Sequence, residues 1–179
     1  MVFAGVDIET TGTDPDAGHR LIQIGIAFAY SPTMGGDVQP IGDINIQADA
    51  LAVNHFTLAR IGAAPLQTDV DTRITFQLSA AGYKAGDITP VGWNVGGFDM
   101  VFVKKELPKT AAFFSYRVFD LTTIAIMESL WTGTPYPVVK IKLASKVVEC
   151  LGRDESHDAL YDAEAALIIL DYYKGKIKV

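Results

Sequence analysis

The sequence is poor in the features that define several classes of protein. It has one cysteine, Cys150, among 179 residues, so no disulfide can form within the chain, and a reducing, cytoplasmic location is expected. The longest apolar run, residues 21–30, is interrupted by Gln23 and is far shorter than the roughly 20 residues that span a bilayer. The N-terminus lacks a basic region followed by an apolar run, which predicts no signal peptide.

Basic residues are also in the minority. Lys and Arg number 15 against 21 Asp and Glu, for a net charge of −6 and a sequence pI near 4.9. Proteins that coat nucleic acids are normally basic, so the charge argues against that class. It permits an enzyme that handles anions through bound metal ions. The length, with 49 % hydrophobic and 20 % charged residues, predicts a single globular domain over residues 1–179.

Hydrophobic patterns predict strands first, and then helices with short strands between them. The predicted strands span residues 1–6, 21–30, 38–46 and 88–93, with residues 31–36 as a hairpin turn. The predicted helices span residues 68–81, 98–107, 121–130, 141–151 and 158–173, and Gly152 and Gly175 are expected to end the last two. This order predicts a mixed sheet with helices packed on it.

The first chemically suggestive stretch follows the first predicted strand. Residues 7–12 read Asp-Ile-Glu-Thr-Thr-Gly. Side chains alternate faces along a strand, so Asp7 and Glu9 project from the same face. Two carboxylates at the end of a buried strand can share a hard cation such as Mg²⁺, which prefers oxygen ligands. A polar strand end that leads into a turn explains the same residues, so both interpretations stay open at this point.

Two further stretches bring acids to predicted helices. Residues 92–99 end a strand, turn at a glycine pair and put Asp99 in the first turn of a helix, where the helix dipole favours an acid whatever its function. Asn94 is equally explained as a turn residue. Asp162 continues an apolar stripe of the last helix and is expected to point toward the sheet, although a solvated helix flank is the alternative. His157, taken alone, is explained as a residue at the helix start.

Taken in order, the three stretches resemble the motifs of the DEDD exonuclease superfamily, which has the ribonuclease H-like fold. Residues 7–12, 94–99 and 157–162 resemble its first, second and third motifs. His157, five residues before Asp162, is typical of the DnaQ-like DEDDh branch, which includes the epsilon proofreading subunit of DNA polymerase III, ribonuclease T and oligoribonuclease. The resemblance, strongest to epsilon, implies an α/β fold with a mixed five-stranded sheet, its first three strands antiparallel, flanked by helices.

The resemblance also implies how the site works. Two Mg²⁺ or Mn²⁺ ions are expected at four carboxylates, those of Asp7, Glu9, Asp99 and Asp162. His157 is expected to take a proton from the attacking water. An imidazole, with its ordinary pKa of about 6.5, suits that role near neutral pH.

Four more residues are expected at the substrate. Backbone or hydroxyl groups of Thr10 and Thr11 would hold the terminal 3′ nucleotide, and Asn94 belongs to the same predicted set. Phe56 lies in a stretch that is similar to a segment of epsilon-like members, and it would stack or wedge beside the last base. A core position at a helix start is the equal alternative for Phe56.

The expected function is that of a metal-dependent 3′→5′ exonuclease, which acts on the 3′ ends of single-stranded or frayed DNA and releases nucleoside 5′-monophosphates. Its alternatives are an exoribonuclease similar to oligoribonuclease, or a catalytically silent module that binds 3′ ends or docks on a polymerase. All four acids and the histidine are present, which favours an enzyme. A polymerase bound in trans and a homodimer are the expected protein partners, and no membrane partner is expected.

Overall fold

The structure, a computed structural model, describes residues 2–155 and 157–176. Within these ranges the strands are β1 (Val2–Thr10), β2 (Leu21–Phe28), β3 (Ser31–Asp37), β4 (Ile88–Gly92) and β5 (Phe119–Asp120). The helices are α1 (Ala48–Asn54), α2 (Leu58–Ala63), α3 (Gln67–Ala80), α4 (Asp99–Glu106), α5 (Pro108–Ala111), α6 (Leu121–Thr132), α7 (Tyr136–Leu151) and α8 (Ala159–Lys176).

The strands form one mixed sheet in the order β3-β2-β1-β4-β5. β1 pairs antiparallel with β2 and parallel with β4, while β3 is antiparallel to β2 and β5 is parallel to β4. The carboxyl ends of β1, β4 and β5 therefore meet at one edge of the sheet. The predicted fold class, with a mixed five-stranded sheet whose first three strands are antiparallel, is confirmed.

Helices cover both faces of the sheet, which explains why every residue of β2 is buried. On one face, Ala4, Val6 and Ile8 of β1 pack in a core with α3 and α4. On the other face, α8 packs with α6 and α7 in a second core. The alternation of side chains along β1 assigns its acidic residues to the face that α8 covers.

The backbone of α8 lies directly against β1 and β2. A Cβ atom at Gly5 would come within 1.9 Å of the carbonyl oxygen of Ala163, and a Cβ atom at Gly25 would come equally close to that of Ala159. No larger residue fits at either strand position without moving the helix. These two glycines therefore set how closely the helix that contains the third motif approaches the strand that contains the first.

Two strand predictions were wrong. Residues 31–36, predicted as a turn, belong to β3, and the predicted third strand over residues 38–46 lies outside the sheet. The glycine pair that suggested a turn serves another purpose, because a Cβ atom at Gly35 would come within 1.9 Å of the carbonyl oxygen of Ile24. Gly35 and Gly36 have φ angles of 123° and 130°, which favour glycine, and Gly35 lets β3 approach β2.

The predicted helices are all present, with some different bounds. α7 begins at Tyr136, earlier than predicted, and α8 continues through Gly175 to Lys176. The short helices α1, α2 and α5 were not predicted, because they have too few turns to show a helical repeat. None of the helices in the described ranges has the length and apolar character that crossing a membrane requires.

The close approach of α8 predicts a large penalty for a side chain at Gly5. We expect Gly5→Ala to lower the free energy of unfolding by about 3 kcal/mol, since the new methyl group would overlap the backbone of α8. Gly62→Ala is the matched control, because its Cβ atom meets open space in helix α2, and it should be neutral or stabilising by up to about 1 kcal/mol. Urea unfolding measures both, and equal stabilities for the two variants would contradict the close contact.

Candidate active site

The first motif occupies the end of β1 and the turn after it. Asp7 and Glu9 lie on one face of the strand and are half-buried. The buried hydroxyl of Thr10 donates a hydrogen bond to the carbonyl oxygen of Gly12 at 2.7 Å. The hydroxyl of Thr11 donates to the carbonyl oxygen of Asn45 at 2.7 Å and also accepts from the backbone of Arg20. Both hydroxyls thus stabilise the turn, and their predicted contact with a nucleotide stays a prediction.

The second motif lies where β4 gives way to α4, beside the end of β1. Asp99 is the first residue of α4 and is buried. The backbone of Ile8 partly offsets the rise in the pKa of the Asp99 carboxyl group, which places the second motif beside the strand of the first. Asn94 is exposed and has a φ angle of 53°, a conformation that asparagine tolerates better than most residues. This geometry agrees with the turn alternative for Asn94, and its role toward substrate stays a prediction.

The third motif lies at the start of α8. Asp162 is in the first turn of the helix, and its Oδ2 atom accepts a hydrogen bond from the backbone amide of His157 at 2.9 Å. Side-chain ligand atoms of Glu9, His157 and Asp162 all lie within 4.8 Å of one another. Residues from the two ends of the chain therefore meet at one point, and His157 is exposed at its edge.

The electrostatics of the cluster reflect its crowding. Burial, and then the charges of Asp99, Asp162 and Glu9, raise the pKa of Asp7 well above its ordinary value. Burial raises the pKa of Glu9 to about 8, with Asp162 adding to the effect. Burial raises the pKa of Asp99 to about 7 and also raises that of Asp162. Burial first, and then the neighbouring charges, therefore oppose the ionisation of all four acids in the metal-free protein.

The donor set fits a divalent cation. The strongest charges that act on Asp7 all belong to carboxylates, and a bound cation would replace their mutual repulsion with attraction. Carboxylate oxygens are the ligands that hard ions such as Mg²⁺ and Mn²⁺ prefer. Glu9, Asp162 and His157 form a group close enough to hold one ion, and Asp7 and Asp99 lie beside it.

Phe56 lies in the core of a small cluster with Ile22 and Ile61, as the packing alternative expected. The guanidinium of Arg60 covers its ring at 3.7 Å from the centroid. Arg60 also forms two short hydrogen bonds with the carboxylate of Asp37, at 2.7 and 2.8 Å. Stacking of Phe56 on a base, which stays a prediction, would require Arg60 to move.

Two residues near the cluster were not predicted. Gln23 is buried in β2 opposite Glu9 and bonds to Asp158, the residue that follows His157. Asn54 donates a hydrogen bond to the carbonyl oxygen of Thr10 at 3.1 Å. Gln23 did have a signal, as the one polar residue that interrupts the longest apolar run. Asn54 lies in the same stretch as Phe56, and neither its residue type nor its spacing marked it.

The sequence is similar to curated bacterial enzymes of nearly the same length. An oligoribonuclease of Paracidovorax citrulli is 26% identical over 186 residues, which cover 99% of this chain and 90% of that protein. An oligoribonuclease of Vibrio cholerae is 24% identical over 182 residues, with 96% and 93% covered. No protein-family model matches the chain.

The structure is similar to those of solved nucleases. Escherichia coli exonuclease I in complex with a dT13 oligonucleotide superposes with a TM-score of 0.71 at 17% identity, over 97% of this chain and 41% of that one. Cell-death related nuclease 4 (CRN-4) gives a TM-score of 0.69 at 17% identity, over 98% of this chain and 64% of that one. The chain thus spans less than two thirds of either solved protein, and the superpositions define a shared fold.

Fold and sequence together define a nuclease with a ribonuclease H-like fold, an enzyme that hydrolyses phosphodiester bonds. These similarities support the resemblance to DnaQ-like 3′→5′ exonucleases that the sequence motifs predicted. The relatives therefore favour an enzyme over the alternative of a catalytically silent module.

The raised pKa values predict that the metal-free protein loses stability as the pH rises. Glu9 and Asp99 have pKa values of about 8 and about 7 in the folded chain, against about 4 when unfolded. Between these limits the folded chain binds more protons than the unfolded chain, so the free energy of unfolding falls as the pH rises. In EDTA, thermal unfolding should show a lower Tm at about pH 8 than at about pH 6, and Mn²⁺ should raise the Tm most at the higher pH.

A matched pair of variants separates this effect from general charge effects. Glu9→Gln should raise the Tm of the metal-free protein at about pH 8 and flatten its pH dependence. Glu149→Gln, at an exposed position of α7, should leave both nearly unchanged. A wild-type Tm in EDTA that stays level or rises across this range would contradict the raised pKa values of Glu9 and Asp99.

Proposed function

We propose that this chain removes nucleoside 5′-monophosphates one at a time from the 3′ ends of single-stranded nucleic acid, with Asp7, Glu9, Asp99 and Asp162 as metal ligands and His157 as general base. The observation that carries the proposal is the meeting of the three motifs at one edge of the sheet. Burial and then neighbouring charges raise the pKa values of the carboxylates from β1, α4 and α8 there, and the imidazole of His157 borders them.

The chemistry follows from the positions of these groups. A water molecule attacks the phosphorus of the last phosphodiester, the bond from phosphorus to the 3′ oxygen of the shortened chain breaks, and that oxygen takes up a proton. His157, at the exposed edge of the cluster, is suited to accept the proton that the attacking water loses. Two divalent ions held by the carboxylates would stabilise the charge that develops on the phosphate and activate the water.

The surface around the site suits a short single-stranded end. The chain carries a net charge of −6, and the four carboxylates that we assign to metal ions supply most of this excess. What remains is nearly balanced, and a balanced surface lacks the basic groove that wraps a long duplex. This supports binding of only a few terminal nucleotides. DNA is our first candidate substrate, because the first motif and the Phe56 segment resemble those of proofreading enzymes.

RNA is the second candidate substrate, and a specific observation favours it. The curated relatives that match along nearly their whole length are named oligoribonucleases. The choice between the two sugars depends on how the site meets a 2′-hydroxyl group. A polymerase bound in trans or a second copy of the chain stays a prediction from the resemblance.

The first test uses single-stranded DNA, mismatched duplex DNA and short RNA, each labelled at the 5′ end. With Mg²⁺ or Mn²⁺ we expect a ladder that shortens from the 3′ end, and EDTA or Asp7→Asn should abolish it because both remove the cation. Asp69→Asn, an exposed acid on α3, is the control and should cleave normally. Cleavage that begins inside the strand, or full activity of Asp7→Asn, would overturn the proposal, and the ratio of the DNA and RNA rates decides between the substrates.

The second test addresses His157. His157→Ala should lower kcat by about 10²–10⁴-fold, the range that a general base contributes. The rise in Tm on addition of Mn²⁺ should survive in this variant, because the four carboxylates remain. In Asp7→Asn the metal-dependent rise in Tm should instead be lost together with activity. An unchanged kcat in His157→Ala would exclude the general-base role.

A further inference from the structure

Gln23 is a buried polar side chain that the proposed chemistry does not use. It is 1% exposed and lies in β2, directly opposite Glu9 in the register with β1. Its Nε2 atom donates to Oδ2 of Asp158 at 3.1 Å and to Oδ1 of Asp37 at 3.2 Å, while its Oε1 atom accepts from the amide of Ala159 at 2.8 Å. A buried amide with both ends bonded holds one orientation and fixes its partners.

Asp158 extends this connection into α8. Its Oδ1 atom accepts hydrogen bonds from the amides of Leu160 at 3.0 Å and Tyr161 at 3.3 Å. Asp158 therefore caps the first turn of the helix. The carbonyl oxygen of Asp158 also accepts from the amide of Asp162 at 2.9 Å. Through Asp158 and Ala159, Gln23 holds the capping residue and the first residue of α8 to the sheet.

The bonds of Gln23 supply something that the packing of α8 does not. The first turn of α8 rests on Gly25, where a Cβ atom would come within 1.9 Å of the carbonyl oxygen of Ala159. A glycine surface allows the helix to come close, but it offers no side chain that interlocks with the helix and stops it from sliding. Hydrogen bonds are directional, so Gln23, two residues away on the same strand, sets the position of the helix along its axis.

His157 depends on that position. It immediately precedes Asp158 and has a φ angle of 67°, a strained conformation for a residue other than glycine, which persists only where neighbours enforce it. Its backbone amide donates to Asp162 on the first turn of α8. A shift of the helix start would therefore carry His157 away from Glu9.

Charged groups on both sides of Gln23 form a connected chain with its amide. The Nε2 atom of Gln23 lies between the carboxylates of Asp37 and Asp158 and donates a hydrogen bond to each of them. These hydrogen bonds offset the repulsion between the two carboxylates. Arg60 pairs with Asp37 from the other side and rests on Phe56. The chain from Arg60 through Asp37 and Gln23 to Asp158 links the α2 region to the start of α8, and Gln23 is its buried centre.

We propose that Gln23 is a positioning residue for His157: it fixes the start of α8 on β2, so that the imidazole stands beside the carboxylate cluster. This inference rests on the proposed role of His157 in hydrolysis. Gln23 itself has no contact with the substrate in this scheme, so its loss should affect the chemical step and leave substrate binding in place.

Gln23→Met tests this directly, because methionine fills similar volume and forms none of the three bonds. We expect kcat to fall at least about tenfold while KM stays within about twofold. Gln67→Met is the control, since Gln67 is a half-buried glutamine on the other side of the sheet, and its side chain hydrogen-bonds the backbone of Glu106 and Ile41. It should lose stability but keep kcat. A change in KM alone, or an equal loss of kcat in both variants, would overturn the proposal.

Asp158→Asn provides a milder second variant. Its remaining oxygen still caps α8, while its amide opposes the donors of Gln23. We expect the same selective loss of kcat. The double variant, with both Gln23→Met and Asp158→Asn, should be no slower than Gln23→Met, because both changes break the same hydrogen bond between these two residues. Multiplicative losses in the double variant would mean that the two residues act separately and would contradict the proposal.

Nuclear magnetic resonance reports the position of His157 without activity. The chain has three histidines, so their imidazole signals can be assigned. In Gln23→Met the signal of His157 should shift or broaden while that of His55 stays unchanged, and an unmoved His157 signal would contradict the proposal. Two different failures can be told apart. If the proposed function is wrong, the wild-type protein will hydrolyse none of the substrates. If only the role of Gln23 is wrong, the wild-type protein will hydrolyse its substrate and Gln23→Met will be equally active.

Discussion

The structure depends on the contact between the backbone of α8 and the two strands beneath it. Gly5 and Gly25 leave no room for even a methyl group, and the helix meets them with the small residues Ala159 and Ala163. Because the helix lies so close, Asp162 reaches the carboxylates at the end of β1. A larger residue at either glycine would separate the first and third motifs, which are encoded at opposite ends of the chain.

The same contact gathers charges that repel one another. The carboxylates of β1, α4 and α8 stay together because two hydrophobic cores hold those elements against opposite faces of the sheet. Burial there, and then the neighbouring charges, raise the pKa values of these carboxylates. In a site of this kind, the crowded carboxylates lower the stability of the metal-free protein and raise its affinity for cations. The glycines allow α8 to lie close to the sheet, and the hydrogen bonds of Gln23 then fix the position of the helix along its axis.

Much of the site could be predicted from the sequence because it follows from periodicity. The alternation of a strand assigns Asp7 and Glu9 to one face, and the apolar stripe of the last helix directs Asp162 toward the sheet. Contacts between distant segments were not predictable. The Gly35–Gly36 pair resembles a turn in sequence, and only the packing of Gly35 against Ile24 explains it as strand. The hydroxyls of Thr10 and Thr11 likewise donate to backbone carbonyl oxygens, those of Gly12 and Asn45, and composition does not reveal these partners.

The central claim is that the three motifs form one cation-binding site at the edge of the sheet. A crystal structure of the protein with Mn²⁺, with its anomalous scattering, tests this most directly. The account predicts anomalous density among the carboxylates of Asp7, Glu9, Asp99 and Asp162, beside His157. Density bound elsewhere on the protein with these carboxylates free of metal, or carboxylates too far apart to share an ion, would contradict it.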